Sequence, residues 1–532
     1  MLKLTVEPAV LAALQAAFPR PANSAVRALQ KYISTLHRLL TEAQQLGNDP
    51  YGTHFHLFSI SLHDLANQGG QIGPKRIRTH AWLEQHDMAL VQTVELGSNL
   101  TGVKSRVRLT ERVELNDDHS LSEVRARYGA DLHAFLDEPG ISESAWICRL
   151  YPGLENLDQA QVRAQYHITE VDINSLARFI IWLADQACHF PKRLKDTMFR
   201  QAVLIYRVAQ FSGGLFLQKP KPSHFGRTYY EGVSVQNIHR SLRQAMLGTC
   251  WEYDLASAVI AWKLGFAERF RQITHQSDPI EKLFPMTVIY VEDKDDLIRS
   301  IRADTYTQES TADVDTQRKQ VKTALTALSF GARMTVKGWS DELGQWQVPA
   351  LGTIFRDDLE RQRFIRCPVT EAFSKEQRIL DAFIFGDQLG LQPTLRTDPL
   401  LQSASGRPSK AKVLAYLYQH AESQVMDMVR RLLAQHNQVV LANIHDAIIV
   451  RKRLPLSLRE TIAETIRQQT ANPYWRLTQH AIRRFEPSAT WTKNSPIVPL
   501  RDDQSVKVIE VAGYGRLEVT ASEPSKHKRS PL

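Results

Sequence analysis

The sequence is poor in the features that most often announce a function. It holds 4 cysteines in 532 residues, Cys148, Cys188, Cys250 and Cys367, with no Cys-x-x-Cys and no histidine–cysteine pairing of zinc type. That scatter excludes a disulfide scaffold and a zinc ribbon, and it fits a reducing, cytoplasmic setting. No apolar run reaches the roughly eighteen residues that a membrane span needs. The opening stretch MLKLTVEPAVLAALQAAFPRP is broken by Glu7 and Pro8 and reads as an amphipathic helix, not a signal peptide. There is no GxxxxGK[ST] phosphate loop, which argues against a helicase or an ordinary ATPase engine. HExxH, GxSxG and internal repeats are absent as well.

What is present is a foldable, mildly basic chain. Hydrophobic residues make up 43% and charged residues 23%, a balance unlike that of a disordered protein. The length exceeds what one core supports, so two to four domains are expected. Lys and Arg exceed Asp and Glu by 66 − 57 = 9. The excess suits a partner rich in phosphates, but spread over so large a surface it is a mild bias.

Near the N-terminus, residues 24–46 place Val26, Leu29, Ile33, Leu36 and Leu40 on one helical stripe. A helix-like segment, LFSISLHDLANQ, follows, broken by Gly69, Gly70 and Gly73; Pro74 is suited to begin the next helix. Two strand-like runs, 90–96 and 103–109, then flank the turn GSNLTG. In the second run Lys104, Arg106 and Arg108 alternate with smaller or apolar residues, so a strand's period of two puts the three cations on one face. Helix, glycine turn, helix and hairpin together resemble the winged-helix DNA-binding domains. By that resemblance Lys75, Arg76 and Arg78, at the start of the recognition helix, and the three cations of the wing grip DNA phosphates.

Residues 120–222 read as mainly helical, with DINSLARFIIWLADQACHF and RQAVLIYRVAQF as core helices. KPKPSHFG at 219–226 is a break, and the end, SEPSKHKRSPL, reads as a polar, disordered tail whose Lys526, Lys528 and Arg529 suit nucleic acid. The expected domains are therefore 1–118, 119–224, 225–500 and 501–532.

Chemistry concentrates in three segments. In WEYDLASAVIAWKLG, Asp254 precedes an apolar, helix-forming run. In RKQVKTALTALSFG, Arg318, Lys322, Thr326 and Phe330 recur every four residues, and at 100° per residue they form one slanted stripe on a helix. Two cations followed by an aromatic suit a triphosphate and then a base or sugar; Gly331 permits close backbone approach. In VVLANIHDAIIV, His445-Asp446 interrupts an apolar strand, and a buried carboxylate is costly unless paired or metal-bound. If Asp254 and Asp446 converge, they form a two-carboxylate Mg²⁺ site. His-Asp alone says little, since His63-Asp64 and His86-Asp87 occur too.

In this order the three segments resemble motifs A, B and C of the family A DNA polymerases and of their relatives, the phage-type single-subunit RNA polymerases. Asp254 matches motif A. Arg318, Lys322, Phe330 and Gly331 match the spacing Arg-x3-Lys-x7-Tyr-Gly of motif B, and His445-Asp446 matches motif C. FGRTYYEGVSVQNI (225–238) is similar to the family A stretch before motif A, and YQHAESQVMDMVRRLL (418–433) to the helix before motif C. The resemblance spans about 226–452.

It implies an α+β right-hand polymerase, with an antiparallel palm sheet and helical fingers and thumb, preceded by the winged-helix-like module. It also implies roles. Asp254, Asp446 and the Leu255 carbonyl hold two Mg²⁺ ions; Lys322 and Arg318 neutralise the triphosphate, with Lys322 as the acid for pyrophosphate departure. Phe330 packs on the incoming nucleotide. Arg227, Gln236, Asn237, Gln419 and His445 contact the primer–template.

The pattern departs from family A in places that bear on the sugar. Val259 stands where these DNA polymerases carry a ribose-excluding Glu, Phe330 stands for Tyr, and Ala447 follows motif C where they have Glu. The first 200 residues offer no Asp-x-Glu exonuclease triad, so proofreading is not expected. The balance favours a DNA-directed DNA polymerase acting on nucleoside triphosphates and on DNA, as a primer–template or at a promoter or origin. A single-subunit RNA polymerase or primase-like enzyme is the alternative, and a DNA-binding initiator or regulator with an inactive polymerase-like part is the second. No Asp-Asp pair of reverse-transcriptase type appears, and the oligomeric state is not legible.

Overall fold

The structure, a computed structural model, describes residues 2–21, 23–46, 57–97, 104–117, 121–129, 132–137, 151, 154–185, 190–340, 346–403, 405–486, 509–511 and 515–517. It is a mixed, helix-rich fold with small sheets. Two compact units divide the chain: one comprises Met1–Lys221, Tyr230–Cys250 and Ile482–Leu532, the other Pro222–Tyr229 and Trp251–Ala481. The expected segments 1–118 and 119–224 thus fall in one unit apart from Pro222–His224. The tail beyond 500 lies outside the described residues, apart from the paired strands Ile509–Val511 and Gly515–Leu517.

The first unit begins with β1 (Leu2–Val6), α1 (Pro8–Ala17) and α2 (Ser24–Gln45). Leu29, Leu36 and Leu40 of the expected stripe are buried, with Tyr32 between them. Next come β2 (Leu57–Ile60), α3 (Leu62–Gln68), the short hairpin β3 (Gln71–Ile72) and β4 (Ile77–Arg78), and α4 (Thr79–Gln85). β5 (Val91–Glu95), β6 (Ser105–Leu109) and β7 (Val113–Asp117) follow.

Two local expectations are corrected here. Leu57–Ile60 is a strand, not part of a helix: it pairs with β6 to give the sheet order β2-β6-β5, and the Ser61 hydroxyl then caps α3 by accepting from the Asp64 N–H at 3.1 Å. The helix expected from Pro74 starts at Thr79, because residues 73–76 turn the β3–β4 hairpin, with Gly73 at φ 75° and Arg76 at φ 49°.

The remainder of this unit carries α5 (Leu121–Tyr128), α6 (Leu132–Asp137), α7 (Gln159–Gln165), β8 (His167–Glu170), α8 (Ile173–Ala184), α9 (Lys192–Phe211) and β9 (Leu215–Gln218). β8 and β9 pair antiparallel, so the mainly helical region holds a two-stranded sheet as well. The apolar α8 and α9 supply core residues such as Leu176, Phe179, Phe199 and Ile205. α10 (Arg240–Leu247) belongs here too.

The second unit is organised around a four-stranded sheet. β10 (Cys250–Leu255) leads into α11 (Ala258–Leu264), every residue of which is buried. Then come α12 (Lys294–Thr305), α13 (Val314–Ser329), α14 (Pro368–Leu391), α15 (Lys410–Gln435), β11 (Val440–Ile444), β12 (Ala447–Val450) and β13 (Leu477–Ile482). The sheet order is β11-β12-β10-β13, and β12 is antiparallel to both neighbours. One core runs through this unit, from Tyr253 and Leu255 to Val321, Phe373, Val425 and Ile448.

Candidate active site

The centre of the second unit is where β10 and β12 meet. His445-Asp446 is not inside a strand, as the apolar run suggested: it is the two-residue turn between β11 and β12, with Ile444 paired to Ala447 and His445 at φ 45°. A two-residue hairpin turn requires such a left-handed residue. The turn brings Asp446 to the end of β10, where Asp254 pairs with Ala447 and the Leu255 N–H donates to the Asp446 carbonyl at 3.0 Å. Two acids 192 positions apart therefore become neighbours, one at the end of β10 and the other in the turn beside it.

Both are half-buried, and among the described residues neither forms an ion pair. Burial first, then the charges of Asp446 and Glu252, push the Asp254 carboxyl up to about 7, against the pull of Lys322 and Lys294. Asp446 is raised as well, by burial and then by Glu422. Among the described residues no group of three or more His, Cys, Asp or Glu is placed to hold a metal ion. Two unpaired acids at the end of a sheet suit a hard divalent cation that keeps part of its shell for water or phosphate.

α13 supplies the cations. The Asp313 carboxylate caps it, accepting from the Thr316 N–H at 2.7 Å, and it ends at Phe330 and Gly331, the latter at φ 83°. The charge of Lys322 acts on Asp254, and Lys322 is itself held below its usual range by burial, then by Lys294 and Arg318. Lys294, at the start of α12, lies over the Tyr290 ring at 4.4 Å, and it was not singled out in the sequence. Arg318 is exposed and bonded to Asp295 at 2.6 Å, so it is less available than the stripe suggested. Phe330 is 53% exposed, its ring edge-on to Tyr418 at 5.9 Å, while Val259 is a core residue of α11.

A second cluster rests on α15. Arg227 makes two hydrogen bonds to the buried Glu422, at 2.7 and 2.6 Å, and lies over the Tyr418 ring at 5.8 Å. Burial works against its charge, but Glu422 more than offsets that and holds the guanidinium above its ordinary value. Gly226 permits this approach: a Cβ there would stand 2.9 Å from the His420 ring. His445 faces Tyr229 at 5.2 Å and is lowered by burial and then by Arg227. Its buried Nδ1 has no hydrogen-bond partner among the described residues. Gln419 is half-buried on the same helix. Glu422 and Tyr418 were missed in the sequence, although an acid in the apolar stripe Tyr418, Val425, Val429 was a visible signal.

Gln236 and Asn237 belong to the other unit. The Asn237 side chain is occupied with its own turn, accepting from the Ser234 N–H at 2.9 Å and donating to the Gly232 carbonyl at 2.7 Å. The Gln236 carbonyl accepts from Arg243 at 3.3 Å.

The cations expected to dock DNA divide into two groups. On β6, Ser105, Val107 and Leu109 are buried, as the period of two requires, and Arg108 is exposed. Lys104 and Arg106, however, are each paired at 2.9 Å, with Glu42 and Glu95. Lys75, Arg76 and Arg78 are exposed around the β3–β4 turn, with no ion-pair partner among the described residues.

No protein-family model matches the chain, and no curated protein matches it. Among solved structures, the POL domain of Pol1 from M. smegmatis, in complex with DNA primer-template and dNTP, is a neighbour at 12% identity. The match covers 68% of this chain and 72% of that one, at a TM-score of 0.36, too slight a likeness to define the fold. No helix among the described residues is long and apolar enough to cross a membrane.

Proposed function

We propose that the chain is a template-directed nucleotidyltransferase, and in particular a DNA-directed DNA polymerase with family A-like motifs and no proofreading exonuclease. The observation that carries the reading is that the β11–β12 turn brings Asp446 next to Asp254 at the end of β10, with the charge of Lys322 acting on Asp254. Asp254, Asp446 and the Leu255 carbonyl are the groups to hold two Mg²⁺ ions. When bound, the ions would lower the cost of ionising a primer 3′-hydroxyl and of developing charge on the leaving pyrophosphate.

The protein's own groups do the positioning. Lys322 and Lys294 place positive charge where a triphosphate meets the acid pair, and the depressed Lys322 ammonium is suited to give a proton to pyrophosphate. The new bond joins the 3′-oxygen to the α-phosphorus as the bond to the bridging oxygen breaks. Phe330 offers an exposed ring to the base or sugar. Arg227, held by Glu422, and Gln419 and His445 line the primer–template side. Val259 limits space near the sugar from within α11.

The test is extension of a labelled primer by the full chain with Mg²⁺ and either dNTPs or rNTPs. Extension with dNTPs, lost in Asp446→Asn, is the expected result. Extension with rNTPs alone turns the reading to an RNA polymerase or primase-like enzyme. Absence of both primer extension and chain initiation ends the enzyme reading.

A winged-helix-like docking role for the first unit is supported by its order α2, β2, α3, α4, β5, β6 and by the free cations Lys75, Arg76 and Arg78. An initiator or regulator with an inactive polymerase-like part is the second reading. It predicts sequence-selective DNA binding, measured by mobility shift, in a chain that extends nothing.

A further inference from the structure

α11 buries one charge that the proposed chemistry does not use. Lys263 is 2% exposed in a short helix whose other six residues are Ala, Val, Ile, Ala, Trp and Leu. Its ammonium pairs with Asp381 of α14, itself 4% exposed, and donates to the Ser329 carbonyl at 2.5 Å. An ammonium and a carboxylate taken out of water cost several kcal/mol each before their attraction is counted, and well-packed apolar residues often serve stability as well or better. Stability alone is therefore a weak account of this pair.

The carbonyl it holds explains more. Ser329 is the last residue of α13, where helix carbonyls lack partners within the helix and the negative end of the helix dipole favours a cation. Ser329 is 1% exposed and the next residue, Phe330, is 53% exposed. The buried ammonium thus grips the chain one residue before the exposed ring. Trp262, adjacent to Lys263, packs against Tyr418 at 5.7 Å, and Tyr418 in turn meets Phe330 at 5.9 Å. Two consecutive residues of α11 therefore hold Phe330, one through its backbone and one through its ring neighbour. The same strand and helix carry Asp254, nine positions before Lys263.

We infer that Lys263 is a positioning residue: with Asp381 it anchors the end of α13, and so fixes where Phe330 stands against Tyr418 to receive the nucleotide. The nucleotide's part in this rests on the polymerase reading; the anchor does not.

The experiment separates the two. Lys263→Met/Asp381→Leu in the full chain removes both charges together, which avoids leaving one buried alone, and thermal melting checks that it folds. Hydrogen exchange without substrate is expected to quicken across residues 326–332 and to stay unchanged in β10 and β12. In primer extension the KM for the incoming nucleotide is expected to rise about tenfold, more than kcat falls. Phe330→Ala is expected to raise KM similarly, and combining the changes to add little. Unchanged exchange at 326–332 overturns the anchor. Unchanged KM, or effects that add in full to those of Phe330→Ala, overturn its role in placing the ring. A wild-type chain that extends no primer defeats the polymerase reading, while the exchange data still decide the anchor. Should the double variant fail to fold, Lys263→Met/Asp381→Asn, which also removes the donor to the Ser329 carbonyl and leaves no buried charge, replaces it under the same criteria.

Discussion

Charge is arranged in opposite ways in the two units. Around β10 and β12, like charges are crowded, and among the described residues none of the four is held in an ion pair: Asp446 raises the Asp254 carboxyl, and Lys294 lowers Lys322. On β6 of the other unit, cations that suited an incoming phosphate already have acids of their own, Glu42 and Glu95. A fold gains nothing from crowded like charges, so an unanswered cluster is a stronger sign of an absent ligand than a row of surface lysines.

Breaking the acid pair is expected to have the largest effect. Asp254→Asn and Asp446→Asn should each lower primer extension by about a thousandfold or more, read as kcat/KM. The same variants should not weaken the cation-free fold. The Asp254 carboxyl sits at about 7, above its ordinary 3.8, so the folded chain binds more protons than the unfolded one between those values. Stability of the cation-free protein from this group is therefore greatest below about pH 4 and falls as pH rises to about 7. Mg²⁺ binds the charged form: at pH 8 it should raise the melting temperature of wild type, and at pH 5 much less. Saturation a hundredfold above Kd corresponds to about 2.7 kcal/mol. An equal rise in Asp254→Asn/Asp446→Asn would remove the pair as the cation site.

The next effect concerns the cations of α13. Lys322→Ala should cost about a hundredfold in kcat/KM and Arg318→Ala much less, because Asp295 already occupies Arg318. The reverse ranking would shift the triphosphate toward the N-terminal end of the helix.

The smallest effect lies in the first unit. Lys75→Ala/Arg76→Ala/Arg78→Ala should lower the salt slope of duplex-DNA binding by up to about 2.7, at 0.9 per phosphate contact. Lys104→Ala/Arg106→Ala should leave the slope nearly unchanged. An effect confined to the second set would restore the wing as the docking surface.

Local pattern made parts of this legible. The four-residue recurrence of Arg318, Lys322 and Phe330 located α13, and the alternation in β6 predicted which side chains are buried. What failed was conformational detail that composition does not carry. LFSI and the helix after it share an apolar character, and only pairing with β6 makes the first part a strand. His445 takes a left-handed turn that an unbroken apolar run conceals. Glu422, Lys294 and Lys263 become meaningful only once α15, α12 and α11 are packed beside the acids, and packing between distant segments is not written in any one of them.

The first unit is also closed late. Asp172, which caps α8 and accepts from the Ser175 N–H at 3.0 Å, also accepts a hydrogen bond from an Arg484 Nη at 2.8 Å and stands 2.8 Å from the Arg484 Nε in an ion pair. Phe485 packs on Phe179 at 5.0 Å and on Trp182 at 5.2 Å. Between Cys250 and Ile482 the chain is building the other unit. At about 5–20 residues per second, a ribosome spends roughly 12–47 s between residue 250 and residue 485. During that interval Phe179 and Trp182 lack Phe485, so the nascent chain must carry an unfinished core while its other unit is still being made.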